Sequence, residues 1–281
     1  MKWSWNLTRV YGTDVKIHLT FFLLLAWIGL GGLSTGGLGG AIISVLFVLL
    51  LFGCVLLHEF GHVLAARAFG IRTPDITLYP IGGVARLERM PEKPVQELIV
   101  ALAGPAVNVV IATFLFLIVG AGASLGGVET LADPRAALLT RLAAVNIFLV
   151  LFNLIPAFPM DGGRVLRALL GFRFSFVQAT RYAVKVGRVL AIGFGIIGLF
   201  HNPMLIFIAL FVYFSAGQEL AAVEKREQAR SFGGSPFAGF GRSPLFDELL
   251  RRTRPRGRHP VPVIDEYGRV VDWVSGDEGR R

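Results

Sequence analysis

Residues 51–62 read LFGCVLLHEFGH. It continues an apolar run that begins near residue 41, yet it closes on two histidines and a glutamate. Ionisable side chains are costly in hydrocarbon, so within a membrane span they mark a functional site by default. Whether the surrounding chain is a membrane protein therefore has to be settled first.

Composition answers that. Of 281 residues, 54% are hydrophobic and 17% charged, with a mean hydropathy of +0.63. Most charges fall outside long apolar stretches, the pattern of an integral membrane protein. A span needs about 20 predominantly apolar residues. Six candidates meet this, at roughly 18–37, 41–68, 96–121, 138–158, 180–200 and 203–223. The first runs into GLGGLSTGGLGG and is read as a helix, not a signal peptide, because a long amphipathic lead precedes it and no clean small-residue cleavage site follows.

Charge sets the orientation. With the N-terminus inside, segments 1–17, 63–95, 159–188 and 224–281 hold 3, 5, 6 and 12 Lys and Arg, whereas the outer turns hold two, Arg135 and Arg141. Both termini are thus expected on the cytoplasmic side. The net charge of +9 follows from this topology, and no nucleic-acid partner is expected. A single cysteine, Cys54, excludes an intramolecular disulfide. It lies one turn before His58 and is read as a small packing residue.

In this orientation the second helix runs inward, and so does the fourth, which ends in NLIPAFPMDGGR at 153–164. Pro156 and Pro159 should break that helix and present Asp161 near the depth of the histidines. His58 and His62, four apart, share one helix face and can ligate one metal ion. Two imidazoles and a carboxylate leave the fourth position of a tetrahedral zinc site to water. Zinc acidifies such a water and polarises a carbonyl. Glu59 is placed to take the water's proton and pass it to a leaving amine. This is the H-E-x-x-H arrangement of zinc peptidases. The bland alternative is two helix-end histidines bonded to backbone carbonyls beside a solvated glutamate. Asp161 has two readings that spacing alone does not separate, third ligand or N-cap of the helix beginning GGRVLRALL.

The pair HEFGH and NLIPAFPMDGG resembles the signature of the site-2 protease family of intramembrane zinc metalloproteases. LYPIGGVARLERMPEKPVQELIVALAGPAVNVV at 78–110 is also similar, as is VKIHLTFFLLL at 15–25 in the subgroup with a cytoplasmic CBS-type tail. The resemblance covers roughly residues 8–223. It implies His58, His62 and Asp161 as ligands of one zinc ion and Glu59 as the catalytic residue. It also implies DITLYPIGGVARLE at 75–88 as a membrane-associated β-hairpin or sheet, bent at Gly82 and Gly83, whose edge captures an unwound substrate by β-augmentation; a plain cytoplasmic hairpin is the alternative. Asn108 is read as binding the substrate carbonyl or a developing oxyanion, or as glue between helices. Asn153 is read as support for a ligand or a brace for the broken helix. His18, His201 and His259 have no visible partner.

The expected fold is therefore an all-α polytopic membrane protein with six transmembrane helices, a small membrane-associated β-hairpin or sheet and a short cytoplasmic α/β tail. Residues 1–223 form the metalloprotease core, 224–242 a glycine- and serine-rich linker, and 243–281 a tail resembling part of a CBS module. In that tail LFDELLRR is a short helical pattern, and HPVPVIDEYGRVVDWV suggests two strands around Asp265–Gly268. Asp272 stands where CBS motifs usually have glycine. Such a tail buries too little apolar surface to fold alone, so a homodimer through it, or docking on the core, is expected. The expected partners are a transmembrane protein substrate and the lipid bilayer. A metal transporter and a catalytically inactive membrane scaffold are the alternatives from other classes.

Overall fold

A computed structural model describes residues 3–126, 134–232, 261–264 and 270–274. The chain separates into two units, Met1–Glu227 and Gln228–Arg281.

In the first unit the chain opens with strands β1 (Ser4–Val10) and β2 (Thr13–His18), then enters α1 (Leu19–Ala68). His18 caps α1, its side chain accepting from the Thr20 amide. Gly36 and Gly37 leave helical geometry, and Gly37 adopts φ +62°, a conformation that glycine reaches without Cβ strain. The helix folds back there into two antiparallel arms, residues 19–35 and 38–68. Phe21 and Phe52 meet edge-on with centroids 4.6 Å apart, in a cluster with Val48 and Leu78. The arms correspond to the first two expected helices. The second arm is much the longer, and its end, carrying His58 and His62, projects past the start of the first.

A four-stranded sheet, ordered β1-β2-β3-β4, lies against that projecting end. β3 (Asp75–Tyr79) and β4 (Gly82–Arg86) form the expected hairpin, closing at the Tyr79↔Gly82 pair. β2 joins β3 in parallel, Val15 opposite Ile76, and Ile17 opposite Leu78. The lead before the first span, read as amphipathic, is thus a β-hairpin that doubles the sheet. Its alternation Trp3, Trp5, Leu7 against Ser4, Asn6, Thr8 is the two-residue period of a strand.

The remaining helices are α2 (Pro94–Gly126), α3 (Pro134–Asn153), the short α4 (Asp161–Gly171), α5 (Phe176–Phe200) and α6 (Pro203–Phe232). Among the described residues five helices are long and apolar enough to cross a membrane: α1, α2, α3, α5 and α6. The expected fourth span is shorter at its inner end, α3 stopping at Asn153, and residues 154–160 form an irregular link around Pro156 and Pro159. That link packs so closely on the start of α4 that a Cβ at Gly162 or Gly163 would collide with its backbone. α6 outruns the expected limit of 223, because Glu, Lys, Gln and Ala favour helix and Glu224 is tied to Arg181 by a 2.8 Å ion pair.

One buried charge that the sequence does not single out joins these helices. Arg167 of α4 is 1% exposed. Its Nε donates to Glu97 Oε1 of α2 at 2.7 Å and its Nη1 to Glu219 Oε1 of α6 at 2.7 Å. The guanidinium also lies 5.0 Å from the Phe158 ring and 4.7 Å from that of Phe176.

In the second unit, β5 (Val261–Ile264) pairs antiparallel with β6 (Val270–Val274), Val261 opposite Val274. These are the two strands expected in the tail. The expected turn at 265–268, the helical pattern at 245–252 and His259 lie outside the described residues.

Candidate active site

The site forms where α1, α2 and α4 meet. α1 and α2 touch through reciprocal glycines. A Cβ at Gly61 would strike the Ala103 carbonyl and the Val107 side chain of α2. A Cβ at Gly104 of α2 would collide with Nε2 of both His58 and His62. Pro105 follows directly and leaves the Ala101 carbonyl without its helical donor.

Both imidazoles are buried and held from behind. Nδ1 of His58 lies 3.0 Å from Asn108 Oδ1, and Nδ1 of His62 lies 2.7 Å from the Val100 carbonyl. Both partners are acceptors, so each Nδ1 carries the proton and each Nε2 turns a lone pair to the front. There the two Nε2 atoms are 3.1 Å apart, and each is 3.2 Å from Asp161 Oδ2.

With both imidazoles neutral, the lone pairs of this triangle converge on one point. Three such atoms, buried together, repel unless a cation sits among them. Tetrahedral zinc with bonds of about 2.0–2.1 Å places neighbouring ligand atoms about 3.3 Å apart, close to the observed edges. The absent side chain at Gly104 leaves a cradle beside both Nε2 atoms. The donor set, its spacing and the cradle fit zinc. His58, His62 and Asp161 are the one group among the described residues whose ligand atoms gather in this way.

Asp161 is the first residue of α4, and the N-cap position belongs to Met160, which makes no side-chain cap bond. The Asp161 carboxylate faces the histidines, so the geometry favours the ligand reading over the cap. Glu59, half-buried, lies on α1 between the two histidines in sequence and reaches toward β4. A Cβ on Gly83 would sit 2.6 Å from Glu59 Cγ, so the bare backbone at Gly83 leaves room for that carboxylate. Gly82, with φ +135°, makes the turn that brings β4 there.

Asn108 is fully buried, and its Oδ1 lies behind His58, on the side of the ring away from the Nε2 triangle. Its Nδ2 has no partner among the described residues. Asn153 ends α3 and is half-buried. Cys54 packs with Leu115, Leu142 and Ala143. Nothing in the sequence singles out the Val100 carbonyl, Gly61 or Gly104. The one local signal is the run of small residues ALAGPAVN at 101–108.

Comparison with known proteins agrees with this geometry. The model of peptidase family M50 matches residues 46–133 and 129–194. A zinc metalloprotease of Methanocaldococcus jannaschii is 38% identical over 80% of this chain and 62% of its own length. Stage IV sporulation protein FB of Bacillus subtilis is 30% identical over 68% of this chain and 60% of its own. The chain thus spans about three-fifths of the length of these curated relatives. The solved structure of the site-2 protease from Methanocaldococcus jannaschii superposes with a TM-score of 0.56 at 34% identity, covering 78% of this chain and 95% of that one. The matched stretches contain the buried ligand trio and the helix that supports it, and on these grounds the chain belongs to the membrane-embedded zinc metalloproteases of peptidase family M50, the site-2 protease family.

Proposed function

We propose that this protein is an intramembrane zinc endopeptidase that hydrolyses peptide bonds within transmembrane segments of other membrane proteins, near the cytoplasmic face. The observation that carries this reading is the trio His58, His62 and Asp161, converging from α1 and α4 with Glu59 alongside. In this reading the two arms of α1 count as separate crossings, giving six in all, and both termini are cytoplasmic, in line with the distribution of Lys and Arg.

When bound, zinc supplies a Lewis acid and an acidified water. His58 and His62 hold it as neutral imidazoles, kept in that tautomer by Asn108 and Val100. Asp161 contributes the negative charge. Glu59 accepts the proton of the attacking water on a carboxylate oxygen and returns it to the departing amine nitrogen. A helical substrate hides its peptide bonds, so it must unwind before cleavage. Among the described residues β4 is an edge strand, one side of its backbone without a strand partner, and it borders Glu59 at Gly83. An unwound segment pairs with that edge and is held extended beside the carboxylate.

Glu59→Gln tests the assignment. The purified variant, reconstituted in liposomes with a transmembrane substrate, should keep about one zinc per chain and lose cleavage, because its role is proton transfer and not ligation. Substantial residual proteolysis in a contaminant-free preparation would overturn the mechanism.

A further inference from the structure

The sheet carries a surface that catalysis does not use. Trp3 and Trp5 are 65% and 63% exposed. Trp5 lies on β1, ahead of the bulge between Asn6 and Thr8, and Trp3 immediately precedes the strand. Trp5 pairs with Ile17, and Ile17 packs on the Phe21–Phe52 cluster. Trp5 therefore lies on the sheet face turned toward α1, and Trp3 stands next to it at the start of the hairpin. Their height along the helix is fixed as well. The Leu19 amide, first in α1, donates to the Trp3 carbonyl at 2.9 Å, and the Trp5 ring lies 5.5 Å from that of Phe22. From Phe22 the exposed apolar surface continues along the first arm through Leu23, Trp27 and Leu30. In a membrane-spanning helix that stripe faces acyl chains.

β1 is nevertheless unsuited to the hydrocarbon itself. Among the described residues it is the other edge of the sheet, with a row of backbone groups that lipid tails cannot satisfy. The side chain of Arg9 on the same strand is 71% exposed. An apolar ring with one N–H donor, beside backbone amides and a cation, suits the headgroup layer, where tryptophan concentrates.

We propose that the N-terminal β-hairpin docks, through Trp3 and Trp5, on phospholipid headgroups of the leaflet that α1 enters at Leu19, and so pins the sheet at a fixed depth. Because β1 to β4 form one hydrogen-bonded sheet, the depth set at one edge is transmitted to the other. That second clause rests on the proposed function, since it is β4 that would present the substrate.

The docking is tested on the full chain carrying Trp27→Phe and Trp273→Phe, which leaves Trp3 and Trp5 as the only indoles. The protein is reconstituted in vesicles of phosphatidylcholine and phosphatidylglycerol. Its fluorescence is quenched by nitroxides placed high or low on the acyl chain, or by aqueous iodide. Quenching by the shallow label should exceed that by the deep label about threefold, as for an interfacial ring. Dominant iodide quenching would place the hairpin in water, dominant deep quenching would place it in hydrocarbon, and no quenching by any of the three would mean that protein covers it. Each of these overturns the proposal. In a second arm, the Trp3→Ala/Trp5→Ala double variant should retain zinc but cleave a vesicle-embedded substrate about tenfold more slowly, a loss typical of a misplaced substrate. Unchanged cleavage would overturn the depth-setting role. If the parent itself did not cleave, the catalytic reading would fail while the quenching result stood.

Discussion

Gly104→Ala is a one-methyl change that should weaken the metal centre. The new methyl group enters the space between Nε2 of His58 and Nε2 of His62. At least one ring must turn aside. A rotation of about 30° off a rotamer costs ~0.5–1.5 kcal/mol. It also breaks the ring's Nδ1 bond, to Asn108 at 3.0 Å or to Val100 at 2.7 Å, and a stranded buried acceptor costs a further ~1–3 kcal/mol. The sum, about 1.5–4.5 kcal/mol, corresponds to about one to three decades of zinc affinity. Competition of the purified protein against a fluorescent zinc chelator reads this directly, with circular dichroism to show that the helices persist. Gly53→Ala on α1 is the control, since a Cβ there meets nothing within 4 Å and affinity should not change. If Gly104→Ala bound zinc as tightly as the parent, the cradle beside the two Nε2 atoms would not be the metal site.

Three further outcomes are expected. Asn108→Leu removes the acceptor behind His58 and should weaken zinc about 10–100-fold in the same chelator assay, as loss of an orienting partner typically does; an effect on cleavage alone would favour the reading of Asn108 as a substrate contact. Arg167→Ala strands the buried Glu97 carboxylate and should destabilise the protein by about 3–5 kcal/mol, seen as a fall in thermal midpoint that Glu97→Gln in the same chain partly relieves. A chain ending at Phe232, the last residue of α6, should still bind zinc and cleave a model substrate, because every ligand lies before that point; loss of zinc would show that the tail belongs to the catalytic unit.

The metal centre is largely legible in the sequence. His58 and His62 are related by helical periodicity alone, and the prolines before Asp161 tell where an inward-running helix has to end. Sequence leaves open the choice between ligand and cap for Asp161, because both roles ask for the same residue in the same place. The geometry favours one by turning the carboxylate toward the histidines. Other features are hidden for a different reason: they depend on partners far away in the chain. β1 and β2 alternate as strands should, but β2 finds its partner in β3 some 60 residues later, so the segment by itself reads as an amphipathic lead. Asn108 stands out among apolar neighbours, yet nothing in ALAGPAVN tells which side of His58 it will take. Arg167, Glu97 and Glu219 each look like surface charges from a helix end. Only their meeting across three helices shows that they are buried.

The unequal arms of α1 have a consequence for how this chain tolerates changes in length. Residues 38–68 number 31 against 17 in residues 19–35, so the second arm is longer by about 21 Å at 1.5 Å per residue. Between the reversal at Gly37 and His58 the helix works as an index. One residue inserted anywhere in that interval advances the imidazoles by about 1.5 Å and rotates them by about 100°, away from Asn108 and Val100. No turn-preserving compensation is available downstream, because Phe52 is locked to Phe21 and Gly61 to Ala103. The first arm is also in register with the second, Leu25 and Ile28 packing on the Phe21–Phe52 cluster and Gly32 lying against Gly40, but it carries none of the three ligands. A one-residue insertion between Phe22 and Gly36 should therefore loosen the packing of the two arms, whereas one between residues 38 and 58 should cost the metal centre as well, an asymmetry between two halves of what is, by composition, one uniform hydrophobic stretch.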